Sequence, residues 1–537
     1  MKNKKTHKWI LYLLVLGVVI LTMETCKTHY FRSNYKDANK LLHDNKNLLT
    51  KPFLKAHLKN GDVSILRDTW KVDTRQNAVS GKGNHYDFNR KKVYEGRISI
   101  PIDSVAIFET NRSLEVTENS RITGLTIMAG LDVAMGVFCL LNPKACFGSC
   151  PTFYINKHDN LHYADAEGFS SAVAPSLEYF DIDALDNQAF NEPHFSITMK
   201  NEALETHCLN HVNLMVYPVQ EDERVYQTSS NIFYLCENNY PLSLAKGPEG
   251  TVTSLLVGKD IKERISLADE NNMSSKEEIC LEFNNVKNSG DLGLIISFRQ
   301  TLMTTYIVYS ALGYMGNEVG DLIAKMEMNN RMQGKLTNGL KEELGDIEVY
   351  VWNKSKNSWE FQDGFYETGP IALNDQMLPL KNVNSSSEVR IKLVLNKGLW
   401  RIDYLALTNI KKEVKPIEIR TDKILNEGKT DHEALNQINT SDQYLISMPG
   451  SEYRFNFTLP KANQKYELFL YAKGYYLEWM RENWIKNKNL LKLRQLVENP
   501  AKYLRLEAKS YKIYEKTMEQ EFWNTRINTD KFEYDEK

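Results

Sequence analysis

Arg390-Ile391-Lys392-Leu393-Val394-Leu395 alternates charged and apolar residues over most of its length. Residues two apart share one face of a β-strand, so this stretch predicts a strand with one buried face. Three more runs rich in β-formers surround it: Asp346–Trp352, Trp359–Gln362 and Leu399–Leu407. Gly369-Pro370 marks a turn between them. We therefore predict a β-sandwich of the jelly-roll kind over residues 345–474, an architecture that commonly serves as a platform for ligands or glycans.

The chain upstream of this sandwich also favours strands. Residues 146–300 predict a β-rich central domain, and residues 53–115 predict a small SH3-like or Sm-like barrel module. In that module Asn60-Gly61 is the favoured pair for a two-residue hairpin turn. The predicted fold class is therefore mainly β, α+β overall, with helical insertions. The predicted helical parts are an apolar helix at 116–145, a segment at 301–344 and the C-terminal helices at 475–537, which are expected to break at Asn499-Pro500.

The composition excludes several classes of protein. The chain has 537 residues, with 67 Lys and Arg against 69 Asp and Glu. This balance argues against a nucleic-acid partner, because nucleic-acid binders usually carry a basic excess. With 42% apolar and 25% charged residues the chain is globular rather than disordered. Its length corresponds to about four modules.

The amino terminus has the layout of an export signal. Residues 2–8 are basic, Trp9–Leu21 is an apolar run, and Cys26 follows shortly after it. Residues 1–25 are therefore a lipoprotein signal cleaved before Cys26, or an uncleaved membrane anchor. Both alternatives tether the rest of the chain outside the cytoplasm. Residues 26–52 are polar and basic, as in a stalk beside a membrane.

Six further cysteines follow Cys26, and an exported chain can form disulfides. Cys146 and Cys150 are close enough to form a disulfide if Gly148 turns the chain. The alternative is that several of the six are buried thiols.

No phosphate-binding Gly-rich loop, nucleophile elbow, HExxH or paired CxxC motif is present in the sequence. A hydrolase that uses two carboxylates needs no local motif, however. The acidic stretch at 165–192 supplies candidates for such a pair: Asp165, Glu167, Glu178, Asp181 and Asp183. The alternative is that these acids lie in surface turns and helix caps. The stretch does not match the calcium-binding loop of an EF-hand that would start at Asp181. Such a loop needs an oxygen ligand at its fifth position and a glycine at its sixth, and this chain has Leu185 and Asp186 there.

A second group of polar residues combines types that bind zinc. Glu205, His207, Cys208 and His211 lie close together in sequence. On a strand Cys208 would point away from the others, and no second ligand pair is present elsewhere, so a polar strand edge is the favoured interpretation. We expect no metal and no cofactor. The aromatic stretch Tyr475–Trp484 could stack on sugars, but its spacing favours core packing.

Several strings in this chain are specific enough to suggest a family. They are Ala145–Tyr154, Ala166–Ser170, Asn201–His207, Trp400–Leu407 and Gly474–Trp479. Together they resemble a family of uncharacterised envelope lipoproteins of Gram-negative bacteria, over nearly the whole chain. The resemblance implies an acylated, palmitate-bearing Cys26 and a location in the cell envelope, at the outer membrane. It implies no activity and no catalytic residue.

The sequence thus predicts a membrane-tethered, extracytoplasmic lipoprotein with a non-catalytic role in envelope assembly, adhesion or ligand capture. Its expected partners are the membrane, through the amino-terminal lipid or anchor, and envelope proteins or glycans. The alternative is a glycan-acting hydrolase that uses a carboxylate pair from residues 165–192.

Overall fold

The computed structural model describes residues 54–110, 151–316 and 339–526, apart from short gaps within these ranges, together with residue 322. Several predicted features lie outside the described residues: the signal or anchor at 1–25, the stalk at 26–52, the helix at 116–145, and Cys26, Cys146 and Cys150. Within the described part, no helix has the length and apolar character needed to cross a membrane.

The protein is mainly β, as predicted. An N-terminal module has six strands: β1 (Leu54–Leu58), β2 (Val63–Leu66), β3 (Lys71–Asp73), β4 (Ala78–Tyr86), β5 (Lys92–Pro101) and β6 (Val105–Thr110). They form sheet A in the order β3-β4-β2-β1-β6, with β5 paired to β4. β1 and β2 are antiparallel, as the predicted hairpin requires, with His57 opposite Val63. Trp70, only 1% exposed, lies in a hydrophobic core of this module.

The other described residues form four sheets. Its first strands are β7 (Thr152–Tyr154), β8 (Ala166–Glu167), β9 (Tyr179–Ala184), β10 (His194–Lys200), β11 (Glu205–Pro218), β12 (Glu223–Gln227), β13 (Phe233–Pro241), β14 (Leu244–Gly247), β15 (Gly250–Thr251), β16 (Arg264–Ile265), β17 (Lys276–Asn284) and β18 (Asp291–Gln300). Its later strands are β19 (Ile347–Asn353), β20 (Ser358–Phe365), β21 (Asn374–Pro379), β22 (Glu388–Asn396), β23 (Trp400–Val414), β24 (Ile417–Arg420), β25 (Lys423–Asn426), β26 (Lys429–Thr430), β27 (Leu445–Ser447), β28 (Glu452–Thr458) and β29 (Tyr466–Glu478). The helices whose bounds are described are α1 (Met303–Met315), α2 (His432–Asn439), α3 (Leu490–Glu498), α4 (Pro500–Tyr514) and α5 (Met518–Asn524), and residues 339–344 are also helical.

The first sandwich consists of sheets B and C. Sheet B has the order β26-β25-β28-β10-β7-β8, and sheet C has the order β24-β11-β29-β9, with β27 also paired to β11. Their shared core includes Ile197 and Phe455 from sheet B and Leu214 and Leu470 from sheet C. All four side chains are fully buried.

The second sandwich consists of sheets D and E. Sheet D has the order β13-β12-β21-β18-β23-β16, and sheet E has the order β15-β14-β17-β22-β19-β20. Leu294 and Trp400 from sheet D share a core with Val349 and Ile391 from sheet E. Side chains of α1, α3, α4 and α5 extend the same core, so the C-terminal helices belong to this sandwich.

The pairing of strands corrects the predicted domain boundaries. Residues 146–300 and 345–474 were predicted as successive domains, but each of sheets B to E takes strands from both ranges. Sheet C, for example, pairs Val216 of β11 with Leu468 of β29. Alternation along one strand predicts which face is buried, but it does not specify which distant strand pairs with it.

The start of the C-terminal helical region also needs correction. Tyr475 to Glu478 complete β29 and pair with β11, so the helices do not begin at residue 475. Long-range pairing with the 14-residue β11 overrides the helical spacing there. Tyr475 and Tyr476 are buried at 2% and 7% exposure, which places them in the core rather than on a sugar-stacking surface. The predicted break at Asn499-Pro500 is confirmed, because the Asn499 side chain caps α4 by accepting the Lys502 N–H.

The helical segment predicted at 301–344 contains α1. It ends at Gly316, whose φ of 57° is a left-handed conformation that glycine adopts without a Cβ clash. Residues 317–321 and 323–338 lie outside the described part of the chain.

Candidate ligand-binding face

The outer face of sheet E carries the candidate site. On β22, Ile391 and Leu393 are fully buried in the sandwich core, whereas Arg390 and Lys392 lie on the opposite face and are partly exposed. The same alternation of buried and exposed positions occurs along β17 and β19. The polar members of the predicted alternating strand are therefore part of a continuous surface of the sheet.

The register of the strands aligns the outward side chains in rows. In one row Cys280 is opposite Lys392, Lys392 is opposite Tyr350, and Tyr350 is opposite Phe361. We define the aromatic face as the outward residues of β14, β17, β22, β19 and β20: Leu244, Lys246, Glu278, Cys280, Glu282, Val394, Lys392, Arg390, Glu348, Tyr350, Trp352, Trp359 and Phe361.

Four rings occupy the two strands at one edge of this sheet. The ring centroids of Trp352 and Trp359 are 5.3 Å apart with an interplanar angle of 67°, and those of Tyr350 and Phe361 are 5.4 Å apart at 62°. These edge-to-face pairs are favourable because the positive edge of one ring meets the negative face of the other. Phe361 remains 58% exposed, so the pairs form a surface rather than a core. Contiguous exposed apolar surface is a common feature of binding sites, which makes this face the candidate.

Two cations lie against the rings. The Nζ atom of Lys392 is 5.2 Å from the Tyr350 ring centroid and 5.6 Å from that of Trp359. The guanidinium of Arg390 is 5.7 Å from the Trp352 centroid. Lys392 also donates a 3.0 Å hydrogen bond to Glu278. The Lys392 ammonium and the Arg390 guanidinium are therefore held in place beside the rings. Because these side chains are already ordered, less conformational entropy is lost when a ligand binds.

The acidic residues of the aromatic face balance its cations. The carboxylates are Glu278, Glu282 and Glu348, and the cations are Lys246, Arg390 and Lys392. Tyr350 donates a 2.6 Å hydrogen bond to Glu348, and this bond, with partial burial, raises the pKa of Tyr350 to about 12. The hydroxyl therefore remains a protonated donor at neutral pH. The surface offers both donors and acceptors without a strong net charge.

A shallow groove borders the aromatic face at one end of β19 and β22. Trp352 and Arg390 form one part of its lining, and Lys354, Val383 and Glu388 form another. The groove is too small to hold a sugar, so it borders the open face without forming a ligand pocket of its own.

One cysteine of the aromatic face provides a test of its exposure. Cys280 is exposed, whereas Cys208 and Cys236 are buried, and burial raises the pKa of Cys236 to about 12. Because only an accessible thiolate reacts with alkylating reagents, we expect the Cys280 peptide to be alkylated in the native protein. We expect the other two peptides to be alkylated only in denaturant, as measured by mass spectrometry. Equal native labelling of Cys236 and Cys280 would contradict this arrangement.

The structure brings together two of the predicted acids, Glu167 and Asp183. Asp183 accepts the backbone N–H of Glu167 at 3.2 Å, and the two residues are 2% and 3% exposed. The Glu167 carboxylate accepts the backbone N–H groups of Ile371 at 2.8 Å and Ala372 at 3.3 Å. The two carboxylates therefore lie inside the protein, where Glu167 ties β8 of the first sandwich to a loop of the second.

The other predicted acids make hydrogen bonds of their own. Asp165 accepts the Ile155 N–H at 2.7 Å, and Glu178 accepts the Tyr444 hydroxyl at 3.1 Å. Asp181 accepts the N–H of the residue after it. Asp165 and Asp181 therefore bond backbone N–H groups nearby in sequence, whereas the bond of Glu178 joins residues 266 positions apart.

The four residues considered for zinc do not converge. Glu205 and His207 are fully buried, with 2.7 Å between Oε1 and Nε2. Cys208 lies in the core of the first sandwich, and Nδ1 of His211 contacts the Ile438 carbonyl of α2 at 3.1 Å. Burial lowers the pKa of His207 to about 3, so its ring is neutral. Among the described residues, no group of three or more His, Cys, Asp and Glu side chains could hold a metal ion.

A second charged cluster joins sheet D to the C-terminal helices. Arg299, 1% exposed at its side chain, donates to both oxygens of Glu263, at 2.6 and 2.7 Å, and to Glu519 of α5 at 2.5 Å. It also donates to the Pro370 carbonyl at 2.6 Å and stacks on the Tyr163 ring. This buried network ties the helices to the sheet, and its geometry is that of a structural anchor.

Asp403 adds an uncompensated acid to this region. It is the extra residue of a β-bulge in β23 and is 1% exposed. Its Oδ1 atom has no hydrogen-bond partner among the described residues. Burial, with the nearby Glu263 and Asp260, raises the pKa of Asp403 to about 6.

The raised pKa of Asp403 predicts a pH-dependent effect of D403N. The native state binds this proton more tightly than the unfolded chain, so stability is lost as pH rises from about 4 to about 6. We expect Asp403→Asn to be more stable than wild type by about 2 kcal/mol at pH 7.5, and the difference to vanish near pH 4. Urea unfolding at the two pH values measures the effect. A difference that is the same at both pH values would show that Asp403 is not the titrating group.

The sequence predicts β19, β20 and β22 of the aromatic face, but not β14 and β17 and not the exposure of the rings. The signal was present as two i, i+2 pairs, Tyr350 with Trp352 and Trp359 with Phe361, on either side of a short turn. Period-two spacing places each pair on one face of its strand. What the spacing does not show is whether that face is the core or the solvent side.

Comparisons with known proteins add little. No family model matches the chain, and no curated protein matches it. Among solved structures, BuGH86 in complex with neoagarooctaose matches with a TM-score of 0.17 and 8% identity, over 43% of this chain and 34% of that chain. A β-porphyranase of glycoside hydrolase family 86 from the human gut bacterium Bacteroides plebeius matches with a TM-score of 0.14 and 10% identity, over 44% and 37%. The chain thus spans about a third of the length of these structures. Similarity this low supports no conclusion about fold or activity.

Proposed function

We propose that this protein is a membrane-tethered, extracytoplasmic lipoprotein that captures glycans, without catalysis, on the aromatic face of its second sandwich. The observation that supports this proposal is the set of four paired rings, one of them more than half exposed, beside fixed polar groups on an open sheet.

The rings favour a sugar as the ligand. One side of a pyranose presents C–H groups, which carry partial positive charge and pack on the negative face of an aromatic ring. Phe361 is exposed and Trp352 and Trp359 are partly exposed on two adjacent strands, and adjacent strands are about 4.8 Å apart. A chain of several sugar units can therefore contact several rings at once, and weak contacts add up along it.

The polar groups favour a neutral glycan over a polyanion. Sugar hydroxyls both donate and accept hydrogen bonds, and the aromatic face offers Lys392 and Arg390 as donors and Glu282 and Glu348 as acceptors. Its three carboxylates offset its three cations, so the surface does not attract a polyanion strongly.

The tethering part of the proposal is supported by the sequence. The basic start, the apolar run and Cys26 have the layout of an exported lipoprotein, and the resemblance to envelope lipoproteins agrees with it. Acylation is tested by the mass of the mature amino terminus. Cleavage before Cys26 supports lipidation, and an intact Met1 contradicts it.

Affinity electrophoresis tests glycan capture. The full chain is run through gels that contain soluble neutral polysaccharides, namely a β-glucan, a galactomannan, a xylan and a pullulan, with dextran sulfate as the polyanion. We expect at least one neutral polymer to retard wild type and not to retard a variant with Trp352→Ala and Trp359→Ala.

The control variant is Tyr179→Ala, which removes an exposed ring from β9 of the first sandwich. It should migrate like wild type in every gel. The proposal is wrong if none of the neutral polymers retards wild type, or if the double variant is retarded as strongly as wild type.

A further inference from the structure

The outer surface of α4 carries a regular stripe of basic and aliphatic residues. Lys502, Leu506, Lys509, Ile513 and Lys516 follow one another at alternating spacings of four and three, which places them along one side of the helix. Leu506 is 63% exposed and Ile513 is 72% exposed. Large aliphatic side chains this exposed are not part of the sandwich core, although the other side of α4 is.

The charges of α4 are segregated between its two sides. The acids face inward: Glu507 is 5% exposed and accepts from Tyr306 at 2.7 Å and Lys492 at 3.0 Å. Glu515, just past the helix, has a side chain that is 4% exposed and accepts from Lys512 at 2.6 Å. The cations face outward, and within the described part of the chain Lys502, Lys509 and Lys516 form no ion pair.

The neighbouring helix α3 extends the same surface. Leu491 is 81% exposed, and Arg494 has a side chain that is 72% exposed. Arg494 pairs with the exposed Glu498, so the positive charge of the surface comes from Lys502, Lys509 and Lys516 of the α4 side, beside the protruding Leu506 and Ile513. Lysine stems can lie along an apolar boundary while their ammonium groups reach anionic groups at its edge.

We infer that the outward side of α4, with Leu491 of α3, docks on the surface of an anionic phospholipid bilayer. The aliphatic side chains enter the boundary between headgroups and acyl chains, and the lysines contact lipid phosphates. The charge complementarity selects this partner: an uncharged protein surface would leave a row of unpaired cations buried, whereas a layer of phosphates satisfies each of them.

Acetylation footprinting tests the docking. The full chain is incubated with vesicles of phosphatidylcholine alone, or mixed with phosphatidylglycerol, and acetylation rates of individual lysines are measured by mass spectrometry. We expect Lys502, Lys509 and Lys516 to react about tenfold more slowly on anionic than on neutral vesicles, and high salt to remove the difference. Lys262 and Lys356, exposed on other parts of the surface, are the internal controls and should react equally on both.

The variant Leu506→Ser with Ile513→Ser should lose most of this protection, while Ile417→Ser, at an exposed aliphatic residue of β24 in the first sandwich, should keep it. Because both altered residues are exposed, the variant is expected to fold, and its unfolding midpoint verifies this. Equal rates on the two kinds of vesicle would overturn the inference. Protection by soluble polyglutamate but not by anionic vesicles would assign the surface to an acidic protein and would also overturn it.

Discussion

Replacing Arg299 with methionine is expected to destabilise the second sandwich by about 3–5 kcal/mol. The guanidinium is the centre of the buried network: it donates to Glu263, Glu519, the Pro370 carbonyl and Tyr163. Methionine fills part of the volume but leaves the Glu263 carboxylate, 2% exposed, with only Arg401 as an ion-pair partner in the described structure. The free energy lost when a buried charge is left without its main partner is larger than the net stabilisation that the ion pair provides.

Urea unfolding followed by tryptophan fluorescence measures this loss. Arg494→Met is the matched control, because Arg494 forms an exposed i, i+4 pair with Glu498 and its removal should cost less than about 0.5 kcal/mol. Adding Glu263→Gln to Arg299→Met should restore part of the stability, since it removes the uncompensated charge. A loss below about 1 kcal/mol for Arg299→Met would contradict the role of Arg299 as an anchor.

Removing one tryptophan from the aromatic face is expected to weaken glycan binding strongly. We expect Trp359→Ala to raise the Kd about 30-fold, which corresponds to about 2 kcal/mol, because the ring contacts the ligand and also holds Lys392 and Trp352 in place. Trp352→Ala should have an effect of similar size. The two losses should not add, because the rings touch each other.

Isothermal titration with oligosaccharides of the retained polymer measures these affinities. Trp359→Phe, which keeps a ring, should lose less than about fivefold, and Tyr179→Ala should bind like wild type. Unfolding midpoints of all the variants show whether a loss of binding reflects a loss of fold. Wild-type affinity in Trp359→Ala would exclude the aromatic face as the site of capture.

Local patterns were sufficient to predict the elements of the fold that matter most here. The alternation at Arg390 to Leu395 identified β22 and its buried face, and Asn499-Pro500 identified the junction of α3 and α4. Both signals depend on residues close in sequence: side-chain alternation in the strand, and a side-chain cap followed by proline in the helix.

What the sequence did not reveal depends on contacts between distant residues. Tyr475 to Glu478 have a helical spacing of apolar groups, yet they continue β29 because β11 supplies a partner strand more than 260 positions earlier. Glu167 and Asp183 were two of five acids considered for a carboxylate pair. Their contacts join residues far apart in sequence: Asp183 accepts the Glu167 N–H, 16 positions away, and Glu167 accepts the Ile371 N–H, 204 positions away. Neither outcome is encoded in a local pattern.

The candidate site was only partly predictable for the same reason. The sequence indicated a sandwich able to serve as a glycan platform, and it located the strands that carry Tyr350 and Trp359. Whether those rings face the core depends on what packs against sheet E, and the structure shows sheet D on the opposite side, around Trp400.

Protection of Cys280 tests most directly whether the aromatic face binds a glycan. Cys280 lies in the same row as Lys392, Tyr350 and Phe361 and is exposed in the unliganded protein. Its alkylation rate is measured on the wild-type chain, with and without the retained polysaccharide at about ten times its Kd. We predict a roughly tenfold slower reaction, because only about a tenth of the sites remain unoccupied. An unchanged rate at Cys280, while binding persists, would place the ligand elsewhere and contradict the proposed function.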